Sequence, residues 1–424
     1  MDSSIRRIAE YACSLRFNDL PAAVVHHCKR RVLDTLGCAI GAFDAEPSRI
    51  ARALALRATV PGGARVWGTN HRTLPELAAF ANGVMARYIE GNDAYLGGGG
   101  HPSDVIAPVL AAADAKSADG KTVITAVTLA YEVYHNVFQA AGVRDKGLDH
   151  AYYAVVGSAV GAAKVLYLDH GQMANAVALA ITPNLPLHVT RRGNLSMWKG
   201  CAGANAARNG LFAALLAAEG MTGPDQAIEG SHGLRELLGK FELGPFAGDR
   251  RPFRVTESHL KFFLSEYHSQ APIMAALELH RQVRADDIET VTIYTYWFTW
   301  SEIGSEPEKW HPTTREAADH SLPFIIAAVL IDGRFGDDIF SAERLQDPRS
   351  HALINRISVK EDPEFSRQFP RIVPCRIEAA TKSGERKVAT VEYPRGHVKN
   401  PMTNDEVRAK FFSLAGRVLP QAQV

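Results

Sequence analysis

From residue 1 to about residue 245 the chain repeats Ala, Leu and Val at helical spacing, and no stretch alternates polar and apolar residues as a half-buried strand would. This feature confines the first part to helix packed on helix. Polar breaks at residues 61–63, 97–100, 116–120 and 220–224 divide it. Helices are predicted at 104–115, 123–141, 152–168 and 201–219. The last two carry glycine and alanine where neighbouring backbones can approach closely.

Composition changes after Gly244-Pro245. Residues 288–297 (Ile-Glu-Thr-Val-Thr-Ile-Tyr-Thr-Tyr-Trp) alternate and are rich in β-branched and aromatic side chains, while 376–381 pairs with 387–392 across the turn 382–385. With helices predicted at 270–284 and 321–332, this part reads as a compact α+β unit. A last helix, 404–414, follows Pro394 and can pack back onto the first part. The fold class is mainly α.

Charge excludes one group of partners. Lys and Arg number 47 against 46 Asp and Glu, so a net charge of +1 supplies no field for holding nucleic acid, and an anionic ligand must be held locally. The longest uncharged apolar run, 321–331, is far short of a membrane span. The first residues lack the apolar core of a signal peptide, so the expected compartment is the cytoplasm. Five scattered cysteines, Cys13, Cys28, Cys38, Cys201 and Cys375, form no C-x-x-C pair, which fits packed reduced thiols better than disulfides, a thiolate metal site or an iron–sulfur cluster.

The segment from Glu90 through Asp93 and the four glycines 97–100 to His101-Pro102-Ser103-Asp104 surrounds flexible backbone with carboxylates and an imidazole, as a small-ligand loop would. A connector with Ser103 or Asp104 as helix cap is an equal reading. Asp149-His150 precedes the helix that contains Tyr152, and a helix N-terminus favours the neutral imidazole, suited to accept a proton; an ordinary cap is the competing reading. Arg191-Arg192 and Lys199 precede the Ala-rich helix near Cys201, where backbone amides, Lys199 and one arginine can clamp a carboxylate, or form a solvated basic turn. Lys261 and His268 flank an aromatic stretch, and Asp319-His320 precedes an apolar helix. Motifs for dinucleotides, P-loop phosphates, a hydrolase elbow or a zinc helix are absent, which leaves acid–base chemistry.

Taken in order, Gly100-His101-Pro102-Ser103-Asp104, Gly147-Leu148-Asp149-His150, Trp198-Lys199-Gly200, Gly223-Pro224, Glu266-Tyr267-His268-Ser269-Gln270, Asp319-His320 and Tyr393-Pro394-Arg395-Gly396-His397 resemble the MmgE/PrpD family over nearly the whole chain. That family contains 2-methylcitrate dehydratase, which serves propionate catabolism, together with cis-aconitate decarboxylase and iminodisuccinate epimerase. The stretches look most like the dehydratase branch. The resemblance implies a large all-helical domain (1–256 with 398–424), a smaller α+β lid domain (257–397), an active site in the cleft between them, a homodimer, and no metal or organic cofactor. Hinges are expected near 245–258 and 394–400.

Carried over by position, the resemblance makes His101, His150, Asp93, Lys199, Lys261 and His268 catalytic, and Glu90, Arg192, Tyr152 and His320 substrate-binding. Where many relatives read D-F-D-D-T, this chain has Glu90-Gly91-Asn92-Asp93-Ala94 and lacks the threonine hydroxyl, which leaves the substrate open. Phe324 stands where relatives often have tyrosine. The expected activity is metal-independent dehydration of a 2-methylcitrate- or citrate-like substrate. Arg192, Lys199 and Lys261 would hold carboxylates, while His101 and His150 exchange protons. Decarboxylation or epimerisation on the same scaffold is the alternative, and a non-catalytic ligand-binding relative is a second.

Overall fold

The computed structural model describes residues 1–97, 100–248 and 251–423. Gly98 and Gly99 of the glycine run, and Asp249 and Arg250 of the first expected hinge, lie outside the described residues. The helices of ten residues or more are α1 (Ser3–Ser14), α2 (Ala22–Gly41), α3 (Glu46–Ala55), α4 (Pro75–Tyr88), α5 (Ile106–Lys116), α6 (Gly120–Ala140), α7 (Ala151–Val165), α8 (His170–Ile181), α9 (Trp198–Ala218), α10 (Gln270–His280), α11 (Leu322–Asp332) and α12 (Asn404–Ala415). The protein is mainly α. Among the described residues no helix is long and apolar enough to cross a membrane.

Local chemistry sets several of these ends. The Asp119 carboxylate accepts from the Thr122 amide at the start of α6, Asp169 and Gln172 form a reciprocal capping box at α8, and Thr403 and Glu406 form another at α12. Proline occupies the first position of α4, where no amide partner is needed.

The chain forms two compact units: 1–191 with 197–258 and 403–424, and 192–196 with 259–402. The first unit has one large apolar core in which α6, α7 and α9 are buried nearly all round. Small residues permit this. A Cβ on Gly210 of α9 would sit 2.2 Å from the Val155 carbonyl oxygen of α7, and one on Gly157 of α7 would sit 2.8 Å from the Ala130 oxygen of α6. The expectation of no strand in this part fails at one place: β1 (Ala64–Arg65) pairs antiparallel with β2 (Arg72–Thr73). Two residues per strand are too few to show alternation. The chain after the second unit supplies α12, which packs on α2, with Phe411 and Leu414 seated against Gly37 and Gly41.

The second unit holds a four-stranded sheet in the order β4 (Ile357–Glu361), β3 (Ile288–Thr295), β5 (Cys375–Thr381), β6 (Arg386–Val391). The pairing of β5 with β6 across residues 382–385 is antiparallel, as the alternation predicts. β4 pairs parallel to β3 and has no counterpart in the sequence reading, because Ile-Ser-Val-Lys-Glu is short and mostly polar. Along β5 every second residue is buried; α10 packs on β5 and β6, and α11 packs on α10 and β4.

Candidate functional site

The last turn of α4 and the loop that follows carry the centre of the site. Arg87, wholly buried, places Nη1 2.6 Å from Glu90 Oε1, and Lys199 Nζ, at the start of α9, reaches the same oxygen at 3.2 Å. Lys199 is 2% exposed, so the solvated basic turn is excluded and the anion called for at this helix start is Glu90. Glu90 holds φ +55°, uncommon for a residue with a Cβ, in the turn that presents its carboxylate to both cations.

Asp93 is bound on every side: Oδ1 accepts from the Ser103 amide at 2.9 Å, Oδ2 accepts from the Tyr131 hydroxyl at 2.9 Å and lies 3.9 Å from Arg31 Nε. Its carbonyl oxygen accepts a hydrogen bond from His101 Nδ1–H at 2.8 Å. The other ring nitrogen of His101, Nε2, accepts from Arg87 Nη2 at 2.7 Å. Gly100 before it has φ +147°, and a Cβ there would lie 2.4 Å from the Tyr134 hydroxyl, so glycine is required. Neither Ser103 nor Asp104 caps a helix in the way the connector reading supposes.

His150 stands immediately before α7, its ring centroid 5.5 Å from that of His101. Burial lowers its affinity for a proton, to about 3; Asp149 opposes the shift and Arg191 and Arg87 reinforce it. Its Nδ1 lies 4.0 Å from Asp149, and Nε2 is buried without a hydrogen-bond partner among the described residues. Burial would raise the Asp149 carboxyl, but Arg191, His150 and the Ala151 amide hold it well below the usual range. Arg191 binds that carboxylate at 2.9 Å and donates to the Lys199 carbonyl at 2.8 Å.

Here the sequence reading is corrected. Arg191, not Arg192, accompanies Lys199, because a buried Asp149 requires a buried guanidinium; Arg192 groups with the second unit, is half-exposed and pairs with Glu306 at 2.9 Å. Arg87 and Arg31 join the site with no motif to announce them, and Asp104 joins it as more than a cap. Burial raises the Asp104 carboxyl to about 7, with Arg87 and Arg191 pulling it down and Asp93 and Glu90 pushing it up. A Cβ on Gly203 of α9 would meet its Oδ2 at 2.3 Å, so glycine makes room for that carboxyl. No spacing rule finds these residues; an arginine three positions before a glutamate reads as a surface pair.

The structure thus brings together Glu90, Asp93, His101, His150 and Lys199 within the first unit. Tyr152 is wholly buried in α7, its ring against Tyr153 and its hydroxyl without a hydrogen-bond partner among the described residues. In the second unit Lys261 is fully buried; His268 Nδ1 meets the Tyr296 hydroxyl at 2.5 Å, and its amide donates to Glu266. His320 Nδ1 lies 2.6 Å from Asp319 in the same unit. Among the described residues no three His, Cys, Asp or Glu side chains are grouped to hold a metal ion.

The helical core thus gathers two imidazoles, four buried cations (Arg31, Arg87, Arg191 and Lys199) and their carboxylates, the kinds of group that proton transfer on a small anion uses. The chain matches the MmgE/PrpD N-terminal domain over residues 6–242 and the MmgE/PrpD C-terminal domain over 263–424, and it belongs to that family. It is 30% identical to 2-methylcitrate dehydratase of Escherichia coli K12 and 29% identical to that of Salmonella typhimurium, each match covering 94% of this chain and 86% of the relative. It is 26% identical to cis-aconitate decarboxylase of Aspergillus terreus, over 98% of this chain and 90% of that one.

Proposed function

We propose that the protein is a hydro-lyase that eliminates water from a 2-methylcitrate- or citrate-like substrate by general acid–base catalysis, with no metal or organic cofactor. The observation that carries this reading is the pair of neighbouring imidazoles set among buried Lys199, Arg191 and Arg87. Loss of a proton from the carbon next to a carboxylate leaves charge that buried cations stabilise, and Lys199 and Arg191 are held ready for that role by acids a substrate carboxylate can replace. His150 Nε2, which has no hydrogen-bond partner among the described residues, takes the carbon-bound proton. An anionic substrate beside it raises its proton affinity from the low value of the empty site. The C–H electron pair forms the double bond, the C–O bond breaks, and His101 gives the departing hydroxide a proton.

The match to a cis-aconitate decarboxylase, with Ala94 in place of a hydroxyl-bearing residue, supports loss of carbon dioxide as the second reading. The two are separated by incubating the full chain with citrate, 2-methylcitrate, cis-aconitate and iminodisuccinate. Ultraviolet absorbance of a new double bond without gas release supports dehydration, whereas carbon dioxide from cis-aconitate supports decarboxylation. No turnover on any of the four would refute both.

A further inference from the structure

Two hydrogen bonds of the His101 ring fix its chemical state. A peptide oxygen only accepts and a guanidinium only donates, so Nδ1 carries the proton bound to Asp93 and Nε2 offers its lone pair to Arg87. In that state the ring has no proton on Nε2 to give and no lone pair to take one. Its titratable and charged neighbours include Arg87 from α4, Asp93 from the loop, His150 from α7, Tyr134 of α6 against Gly100, and Asp104 in its own segment. Of these, Arg87 is the group bonded to Nε2. Any proton exchange at Nε2 therefore requires the guanidinium to leave.

Arg87 has a reason to leave when a substrate arrives. One arm is on the Glu90 carboxylate at 2.6 Å, an oxygen already shared with Lys199, and the other is on a neutral nitrogen. Exchanging that nitrogen for a carboxylate oxygen converts a charge–neutral contact into a paired, charge-assisted one. We propose that Arg87 couples substrate binding to His101: without ligand its guanidinium occupies Nε2, and a substrate carboxylate, by taking that arm, releases Nε2 to pick up a proton from solvent. That proton then passes to the departing hydroxide to form water, His101 returns to the neutral ring, and the proton gathered by His150 returns to solvent. The last step rests on the elimination reading above; the blocking of Nε2 does not.

The test uses the full chain labelled with 15N-histidine, the His101 signals being those lost in His101→Gln. In the ligand-free protein near about pH 6, close to the ordinary titration point of histidine, the ring shows the neutral Nδ1–H form. In Arg87→Gln the protonated fraction at the same pH is larger than in the original protein. Citrate added to the original protein moves the signals towards the protonated form, and has no such effect on the variant, whose KM or citrate Kd rises by about tenfold or more. Arg87→Lys keeps the charge beside Glu90 but cannot span both partners, so it gives the same His101 signals as Arg87→Gln with part of the affinity restored. It also serves if Arg87→Gln fails to fold. Identical His101 titration in the original protein and either variant overturns the proposal. Absence of turnover on every carboxylate, with the ligand-free His101 difference intact, refutes the elimination reading instead.

Discussion

Asp104 makes a quantitative prediction about stability. Its carboxyl is 7% exposed and raised from 3.8 to about 7 in the folded chain, burial being the largest cause. Between about pH 4 and about pH 7 the folded chain therefore keeps a proton that the unfolded chain has released, so stability falls as pH rises through that window and is flat above it. Three units at about 1.4 kcal/mol each make the fall roughly 4 kcal/mol. Asp104→Asn keeps the shape and has nothing to ionise. Urea unfolding of both chains at about pH 4 and about pH 8 should show the variant gaining roughly 4 kcal/mol relative to the original between the two conditions. Glu132, also raised to about 7 by burial, titrates in both chains and cancels in the difference. A stability difference that is the same at both pH values would refute the assignment of a buried, proton-holding carboxyl to residue 104.

The remaining predictions concern activity on whichever carboxylate the panel identifies. His150→Gln should lower kcat by about 10²-fold or more with little change in KM, since positioned acid–base groups typically contribute 10²–10⁴-fold; a large KM change with kcat intact would make His150 a binding residue. Lys199→Ala leaves Glu90 paired with Arg87 and should weaken substrate binding as well as turnover, by about tenfold to a hundredfold, because a charge-assisted contact contributes on the order of 1.5–3 kcal/mol. Dialysis against a chelator should leave turnover unchanged, and loss restored only by a divalent cation would overturn the cofactor-free mechanism.

What could be read from the residues beforehand is local. The helices α6, α7 and α9 and the β5–β6 hairpin follow from periodicity, and the loop histidine, the helix-start histidine and Lys199 follow from motif and position. What could not be read depends on burial. Arg87 lies on α4, which is buried around most of its circumference, so its charge has no polar face to belong to and its meaning comes only from Glu90 and His101 in space. The choice between Arg191 and Arg192 is likewise invisible in a dipeptide and is decided by which side chain can reach Asp149. Asp104 reads as a cap until the glycine at 203 shows where its carboxyl sits. β4 is missed because its five residues, only two of them apolar, are too few to establish the pattern.

The helix α12 has a consequence for the making of the protein. Lys410 on α12 is nearly buried, pairs with Asp34 of α2 at 2.8 Å and donates to the Gly91 carbonyl at 2.6 Å, in the loop between Glu90 and Asp93. The peptide that shapes the site is therefore pinned by a side chain synthesised more than three hundred residues later. During translation, at roughly 5–20 residues per second, the helices of the first unit emerge well before their final peg, and for that interval Asp34 is a carboxylate without its lysine. A nascent chain halted before Lys410 would carry both histidines and Lys199, yet not the fastening that fixes the loop between them. The loop between Glu90 and Asp93 thus gains this fastening only after residue 410 has been made.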